Sequence, residues 1–377
     1  MMPKNKPIPF HKAAIGDEEI NEVVDTLKSG WLTMGPKTIE FEKQFAEYVS
    51  VKHAVSMNSA TACLHLALKA IGLKAGDEVI VPTTTFVSTA EVVTYFNATP
   101  VLCDIQDHDH NMDVTKIESL ITSKTRAIIA VHFSGIPCDM TAINNIAKKH
   151  DLKVIEDAAH ALPSEFEGKK VGGLSDITCF SFYATKTLAT GEGGMASTNN
   201  EAYAQSMKRN RLHGISKDAW NRYTDKGHWF YEVVDNGFKY NMTDIAASLG
   251  LVQLRRLKTM NDKRTAIANR YIENFKNCNQ IEWLKPATNV QSSWHLFVIK
   301  VKNRDALMTK LKEAGIGSSL HFIPIFCHPY YKETYKYNAD DYPVACRVYD
   351  SSISLPIFPD LTLEQVDEIS QFVIENV

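Results

Sequence analysis

Between residues 17 and 29 the apolar residues Ile20, Val23, Val24 and Leu27 recur at helical spacing, and Gly30 closes the segment. A second helical pattern follows, with Phe41, Phe45, Tyr48 and Val49 on one face. Beyond it the period changes. Short β-rich runs at 54–57, 78–81, 100–103, 127–132, 153–156 and 177–182 are each followed by a helical stretch. Strands alternating with helices predict βα units and a mostly parallel sheet covered on both faces. The runs Ile128-Ile129-Ala130-Val131 and Val154-Ile155 are apolar without alternation, as strands buried on both faces should be. Past residue 243 the pattern shifts again. Residues 243–277 read as one long or two consecutive helices carrying Leu249, Val252, Leu257 and Tyr271. A strand is expected at 294–301, a helix at 304–314 ended by Gly315, and a last helix at the capping box Thr362-Leu363-Glu364-Gln365. The expected organisation is α/β: an N-terminal arm and large domain over 1–255, then a smaller α+β domain over 256–377, with the seam near 254–260.

Composition narrows the class without naming a chemistry. The chain has 377 residues, 44% hydrophobic and 23% charged, with 18 glycines and 14 prolines, which excludes collagenous and low-complexity sequences. Its formal charge of −3 provides no basic field for nucleic acid or an anionic membrane. Seven cysteines without a C-x-x-C pair read as buried thiols. The N-terminal stretch has no apolar run behind it, and no segment is apolar for long enough to span a bilayer, so a cytoplasmic location is expected.

Three motifs promise more than they deliver. Residues 191–196 satisfy G-x-G-x-x-A, but a strand-like segment follows where a dinucleotide site needs a helix, so a tight glycine turn is the better reading. Asp107, Asp109, Asn111, Asp113 and Glu118 imitate a calcium loop, yet Met112 stands where glycine is required. His321, Cys327 and His328 lack a fourth zinc ligand at suitable spacing, so no metal is expected.

The informative constellation is dispersed over strand ends. Asn58-Ser59-Ala60-Thr61 lies between a strand and a helix, where backbone N–H groups and the helix dipole favour an anion. Asp157 ends the strand Val154-Ile155-Glu156, and ligands gather at such carboxyl ends. A later strand runs through Ser181 into Lys186. An anion-binding turn, an acid and a lysine are what pyridoxal phosphate (PLP) requires for its phosphate, its pyridinium nitrogen and its imine. Phe86, after Pro82-Thr83-Thr84-Thr85, supplies an aromatic for the ring.

These residues resemble the DegT/DnrJ/StrS group of sugar aminotransferases, PLP enzymes of fold type I. The likeness runs from Ser29-Gly30-Trp31-Leu32-Thr33-Met34-Gly35-Pro36, through Glu156-Asp157-Ala158-Ala159-His160, Lys186 and Gly191-Glu192-Gly193-Gly194, to Ser354-Leu355-Pro356-Ile357-Phe358-Pro359. Within the group it is strongest toward members that make a UDP-linked 4-amino-4-deoxy pentose, on Lys239-Tyr240-Asn241-Met242-Thr243-Asp244, Trp294-His295-Leu296-Phe297 and Leu320-His321-Phe322. The resemblance implies that Lys186 carries the cofactor, Asp157 pairs with the ring nitrogen and Phe86 stacks on the ring. It implies phosphate contacts from Ser59, Ala60, Thr61 and Ser181, and a cofactor contact from His160, where other members have glutamine. Lys239 and Asn241 would reach the phosphate from a second subunit of a homodimer, although many members read Asn-Tyr-Arg there. Trp31, Thr33 and His321 would border the sugar.

The implied reaction moves the amino group of L-glutamate, leaving 2-oxoglutarate, to a keto position, the 4-position by resemblance, of a nucleotide-linked sugar. The product would be an amino sugar for lipopolysaccharide O-antigen or a related glycan. The alternatives on the same scaffold are a PLP-dependent sugar dehydratase, in which histidine replaces the lysine, and a PLP-holding regulator without turnover.

Overall fold

The computed structural model describes residues 7–216 and 231–377. In chain order the strands are β1 (His53–Met57), β2 (Glu78–Pro82), β3 (Thr99–Cys103), β4 (Thr125–Val131) and β5 (Lys153–Asp157). A hairpin, β6 (Glu165–Phe166) and β7 (Lys169–Lys170), precedes β8 (Ile177–Ser181) and β9 (Gly194–Thr198). The C-terminal part holds β10 (Glu282–Trp283), β11 (Val290–Gln291), β12 (Phe297–Lys300) and β13 (Ser352–Leu355).

Seven strands form one sheet in the order β1-β9-β8-β5-β4-β2-β3. Pairings among β3, β2, β4, β5 and β8 are parallel, and β9 runs antiparallel to both β8 and β1. Two reversals cancel, so six strands share one direction and their carboxyl ends share one edge. The apolar runs without alternation have the expected cause. In β4, Ala127 and Ile129 enter one core while Ile128 and Ala130 enter another on the opposite face. Helices therefore cover both sides of the sheet.

The glycine turn precedes a strand, not a helix. Gly191 takes φ +83°, and β9 starts three residues later at Gly194. The helix Asp17–Ser29 forms with Gly30 in the left-handed conformation after it, but its orientation is unusual. Glu19 and Thr26 are buried, whereas Ile20, Val24 and Leu27 are exposed. Glu19 accepts hydrogen bonds from Gln253 and Arg256 of the long helix, so a polar network rather than the apolar stripe fixes the packing. The strand expected at 294–301 is shorter than the sequence implies. Trp294 adopts φ +48°, and Leu296 N–H donates to the carbonyl of Ser134, which withdraws the first three residues from the sheet. The last helix begins at the capping box, with Thr362 and Gln365 exchanging side-chain to backbone hydrogen bonds.

The stretch at 243–277 is one helix, Asp244–Phe275. The seam expected near 254–260 falls inside it. Ala247, Leu251, Leu254 and Leu257 pack with Phe41 and Phe182 beside the large sheet, whereas Ile267, Ala268, Tyr271 and Phe275 pack in a second core with β12 and β13. The chain crosses between these cores elsewhere too. Ile8 of the N-terminal arm belongs to the second core, while Ile325, Phe326 and Ala345 return to the large sheet and pack with Val79 and Val81 of β2 in the core that also takes Ala127 and Ile129.

One buried charge pair secures the β1 end of the sheet. Glu42 accepts hydrogen bonds from Ser56 N–H, Ser56 Oγ and the Arg211 guanidinium, which also donates to the Ser56 carbonyl. Removing Glu42 leaves a buried guanidinium without its counter-charge. Glu42→Ala should lower the unfolding free energy by about 3 kcal/mol, seen as a lower urea midpoint at unchanged slope.

Candidate active site

Because six strands point the same way, the segments after them converge. β1 leads into Ser59-Ala60-Thr61, β2 into Thr85 and Phe86, β5 ends at Asp157 ahead of His160, and β8 leads through Ser181 to Lys186. All of these residues line one cavity of about 440 Å³. The C-terminal part of the chain closes it with His295, Leu296, Ser319, His321, Phe322 and Ile357, and the N-terminal arm adds Phe10 and His11. Of the residues singled out in the sequence, Ser59, Ala60, Thr61, Phe86, Asp157, His160, Ser181, Lys186 and His321 meet here.

Four others do not reach this cavity. Trp31 donates its indole N–H to the Met34 carbonyl, and the Thr33 carbonyl accepts from Asp244 N–H, at the start of the long helix. Lys239 pairs with Leu212, and Asn241 pairs with Met57 at the end of β1.

The anion cup is built by close approach. Ser59 caps the helix Ala60–Ala70, its Oγ accepting from Ala62 N–H at 3.1 Å. Gly194, the first residue of β9, lies against this turn. A Cβ there would sit 2.6 Å from the Ser59 carbonyl and 2.7 Å from Ala60 N, so only glycine lets strand and turn meet. The N–H groups of the first helical turn, the hydroxyls of Ser59, Thr61 and Ser181, and the helix dipole are a donor set suited to a phosphate.

Asp157 is buried at the end of β5. Thr89 donates its hydroxyl to Oδ2 at 2.8 Å, and Ala159 N–H donates to Oδ1 at 3.1 Å. Burial raises the pKa of this carboxyl, opposed by the Thr89 and Ala159 hydrogen bonds and by the Lys186 ammonium. The donors favour the ionised form, the form that pairs with a protonated ring nitrogen. Thr85 in turn bonds Thr89 at 2.8 Å. Lys186 follows a turn in which its own N–H donates to the Tyr183 carbonyl. Partly accessible through the cavity it lines, it is still crowded enough that desolvation lowers its pKa to about 8, against the pull of Asp157. An amine partly neutral near pH 8 can act both as nucleophile and as proton carrier.

Imidazoles surround the amine. Ser134 N–H donates to His160 Nδ1 at 3.2 Å, which puts the proton of the neutral ring on Nε2. The His160 and His295 rings lie 4.4 Å apart. Burial holds both well below the ordinary histidine range, with Lys186 adding to the effect on each. Burial, then Lys186, brings His321 to about 4.

The groups present fit PLP: a cup for the phosphate, a carboxylate for the ring nitrogen, an amine for the imine, and Phe86, exposed on the cavity side, for the ring face. Sequence reading passed over Thr89 and His11, and assigned no role to Ser134 or His295. Thr89 follows the hydroxyl-rich run 83–85 and could have been suspected; for the other three no spacing pointed to the cavity.

The fold and these groups define a PLP-dependent aminotransferase of fold type I. The chain belongs to the DegT/DnrJ/EryC1/StrS aminotransferase family, whose profile matches residues 13–374. It is 45% identical over 381 residues to the spore coat polysaccharide biosynthesis protein SpsC of Bacillus subtilis, covering 99% of this chain and 98% of that protein. Among solved structures it is similar to the putative sugar aminotransferase Spr1654 of Streptococcus pneumoniae in its PMP-form, at TM-score 0.93 and 37% identity over 98% of each chain. Helicobacter pylori PseC, an aminotransferase involved in pseudoaminic acid biosynthesis, superposes at TM-score 0.92 and 31% identity, covering 98% of both chains.

Two outcomes follow from this geometry. Gly194→Ala should raise the dissociation constant of the cofactor about tenfold, the effect of a small overpacking, measured by loss of its absorbance on dialysis. In cofactor-free protein, acylation of Lys186 should climb with pH through about 8, as the neutral amine appears, rather than near the ordinary 10.5.

Proposed function

We propose that the protein transfers the amino group of L-glutamate to the 4-keto group of a nucleotide-linked sugar, yielding an amino sugar for a surface polysaccharide. The observation that carries the reading is the meeting of Lys186, Asp157 and the Ser59–Thr61 cup in one cavity. A lysine at 186 argues against the dehydratase branch, where histidine stands. The relatives SpsC and PseC, each named for building a glycan or a sugar acid, support a sugar acceptor.

In this reading Ser59, Ala60, Thr61 and Ser181 hold the cofactor phosphate, Asp157 holds the ring nitrogen, Phe86 flanks the ring, and His160 donates its Nε2 proton. When bound, PLP withdraws electrons from the carbon that loses its proton. The chain's part is positional and protolytic. Lys186 would take the proton from the donor's α-carbon, helped by a lowered pKa, and would return it two atoms further along, beyond the nitrogen that is transferred. Thr89 and the Ala159 N–H keep the Asp157 carboxylate charged and aimed. The second domain and the arm narrow the cavity against water.

Homodimerisation gives the remaining assigned residues a place. We assign Trp31, Thr33, Lys239 and Asn241 to the neighbouring subunit's site, since they lie outside the cavity of their own chain. We divide the chain into a large domain over 1–255 and a small one over 256–377, a reading supported by the change of core partner between Leu257 and Ile267 of the long helix. No helix among the described residues is long and apolar enough to cross a membrane. All seven cysteines are free thiols, in keeping with a reducing, cytoplasmic setting.

Purified protein should show the visible absorbance of lysine-bound PLP, bleached by L-glutamate and restored by a 4-keto nucleotide sugar. Lys186→Ala should lose the band and the transfer. A band that no amino donor moves would overturn the assignment, and a panel of 3- and 4-keto sugars on UDP, dTDP and GDP would identify the acceptor.

A further inference from the structure

The N-terminal arm ties two distant parts of the site together. Ile8 pairs with Ile316 at the edge of the second domain, its N–H donating to the Gly315 carbonyl and its carbonyl accepting from Gly317 N–H. A Cβ on Gly317 would lie 2.2 Å from Phe10 N, so the arm is pressed against this edge. Phe10 then stacks on His321 with ring centroids 5.7 Å apart, and His11 packs edge-on against Phe358. Every one of these partners belongs to the second domain. The next contact does not. His11 Nε2–H donates to the carbonyl of Ala184 at 3.0 Å, two residues before Lys186 and within the turn closed by Lys186 N–H on Tyr183.

We propose that His11 is a positioning residue for Lys186, the point at which the second domain grips the lysine-bearing turn. Held by Ile8, Phe10 and Phe358, the imidazole leaves the Ala184 carbonyl one orientation, and the turn beyond it aims the amine into the cavity. The bond requires an N–H at that point, which the neutral ring supplies. The cations facing His11 are the Lys186 amine from the turn and Arg264 from the long helix; burial and these two charges bring its pKa to about 4. His160, His295 and His321 stand further round the cavity, and Asp157 and Glu192 are its carboxylates. The ring therefore keeps this donor role across the pH range in which Lys186 titrates.

The proposal rests on reading Lys186 as the lysine that carries the cofactor. It is tested with His11→Leu, which keeps apolar bulk but has no donor, and His11→Gln, which restores an N–H at similar reach. One readout is the pH midpoint of Lys186 acylation in cofactor-free protein, followed by mass spectrometry. The other is kcat and KM for the amino donor in the holoenzyme. The leucine variant should lose roughly tenfold in kcat, the worth of one hydrogen bond, at unchanged KM. Its acylation midpoint should rise above about 8, as a loosened turn lets water reach the amine. The glutamine variant should match wild type in both. A leucine variant equal to wild type in either readout, or a glutamine variant as impaired as leucine, overturns the proposal. Visible absorbance surviving Lys186→Ala would instead refute the assignment of that lysine, leaving the acylation midpoints to decide on His11.

Discussion

Six strands of the central sheet run in one direction, and the site depends on that constraint. A parallel strand must be followed by a crossover before the next can begin, so every crossover starts from the same edge. Ser59, Phe86, Asp157 and Lys186 are far apart in sequence but occupy equivalent positions, just beyond or at the carboxyl ends of β1, β2, β5 and β8. The single reversed strand, β9, serves the same edge from the other side. Its first residue, Gly194, begins where β1 and β8 end and lets the cup close against it.

Within that frame the electrostatics are arranged around one amine. Four imidazoles line the cavity, each held below its ordinary range with burial the largest cause. Neutral rings offer hydrogen bonds without adding positive charge, so the ammonium form of Lys186 meets no cationic repulsion from them. Arg264 is buried behind this wall, with its guanidinium turned to the carbonyls of His295 and Ile357. It braces two cavity-lining segments by hydrogen bonds.

The legible residues were those whose role is expressed locally. Asp157 ends an apolar strand, Lys186 follows another, and Ser59 starts a helix; each can be placed from its neighbours alone. His11 could not be, because its partner Ala184 is 173 positions away and only the path of the arm joins them. Ser134 matters through a backbone N–H, which no side-chain pattern reveals. The helix 17–29 was visible in its period, but which side faces inward was decided by Gln253 and Arg256 bonding Glu19, a choice the apolar stripe points against. The strand before Phe297 was overestimated because Trp294, a good strand former, was captured by a turn.

The core around β12 and β13 is laced to the large sheet by several ties. The arm enters it before the first helix; the 32-residue helix Asp244–Phe275 runs from one core to the other; and residues 325–345 return to pack beside β2, where Ile325 N–H donates to the Thr83 carbonyl and Asp104 accepts from Val344 and Ala345 N–H. Domains that can be separated are joined where few contacts cross. Here the polypeptide passes back and forth, so each core is completed by chain belonging in sequence to the other. The two halves are architectural units without being autonomous ones: severing the chain at the seam would yield fragments that each lack part of their own interior, and folding must bring both to completion together.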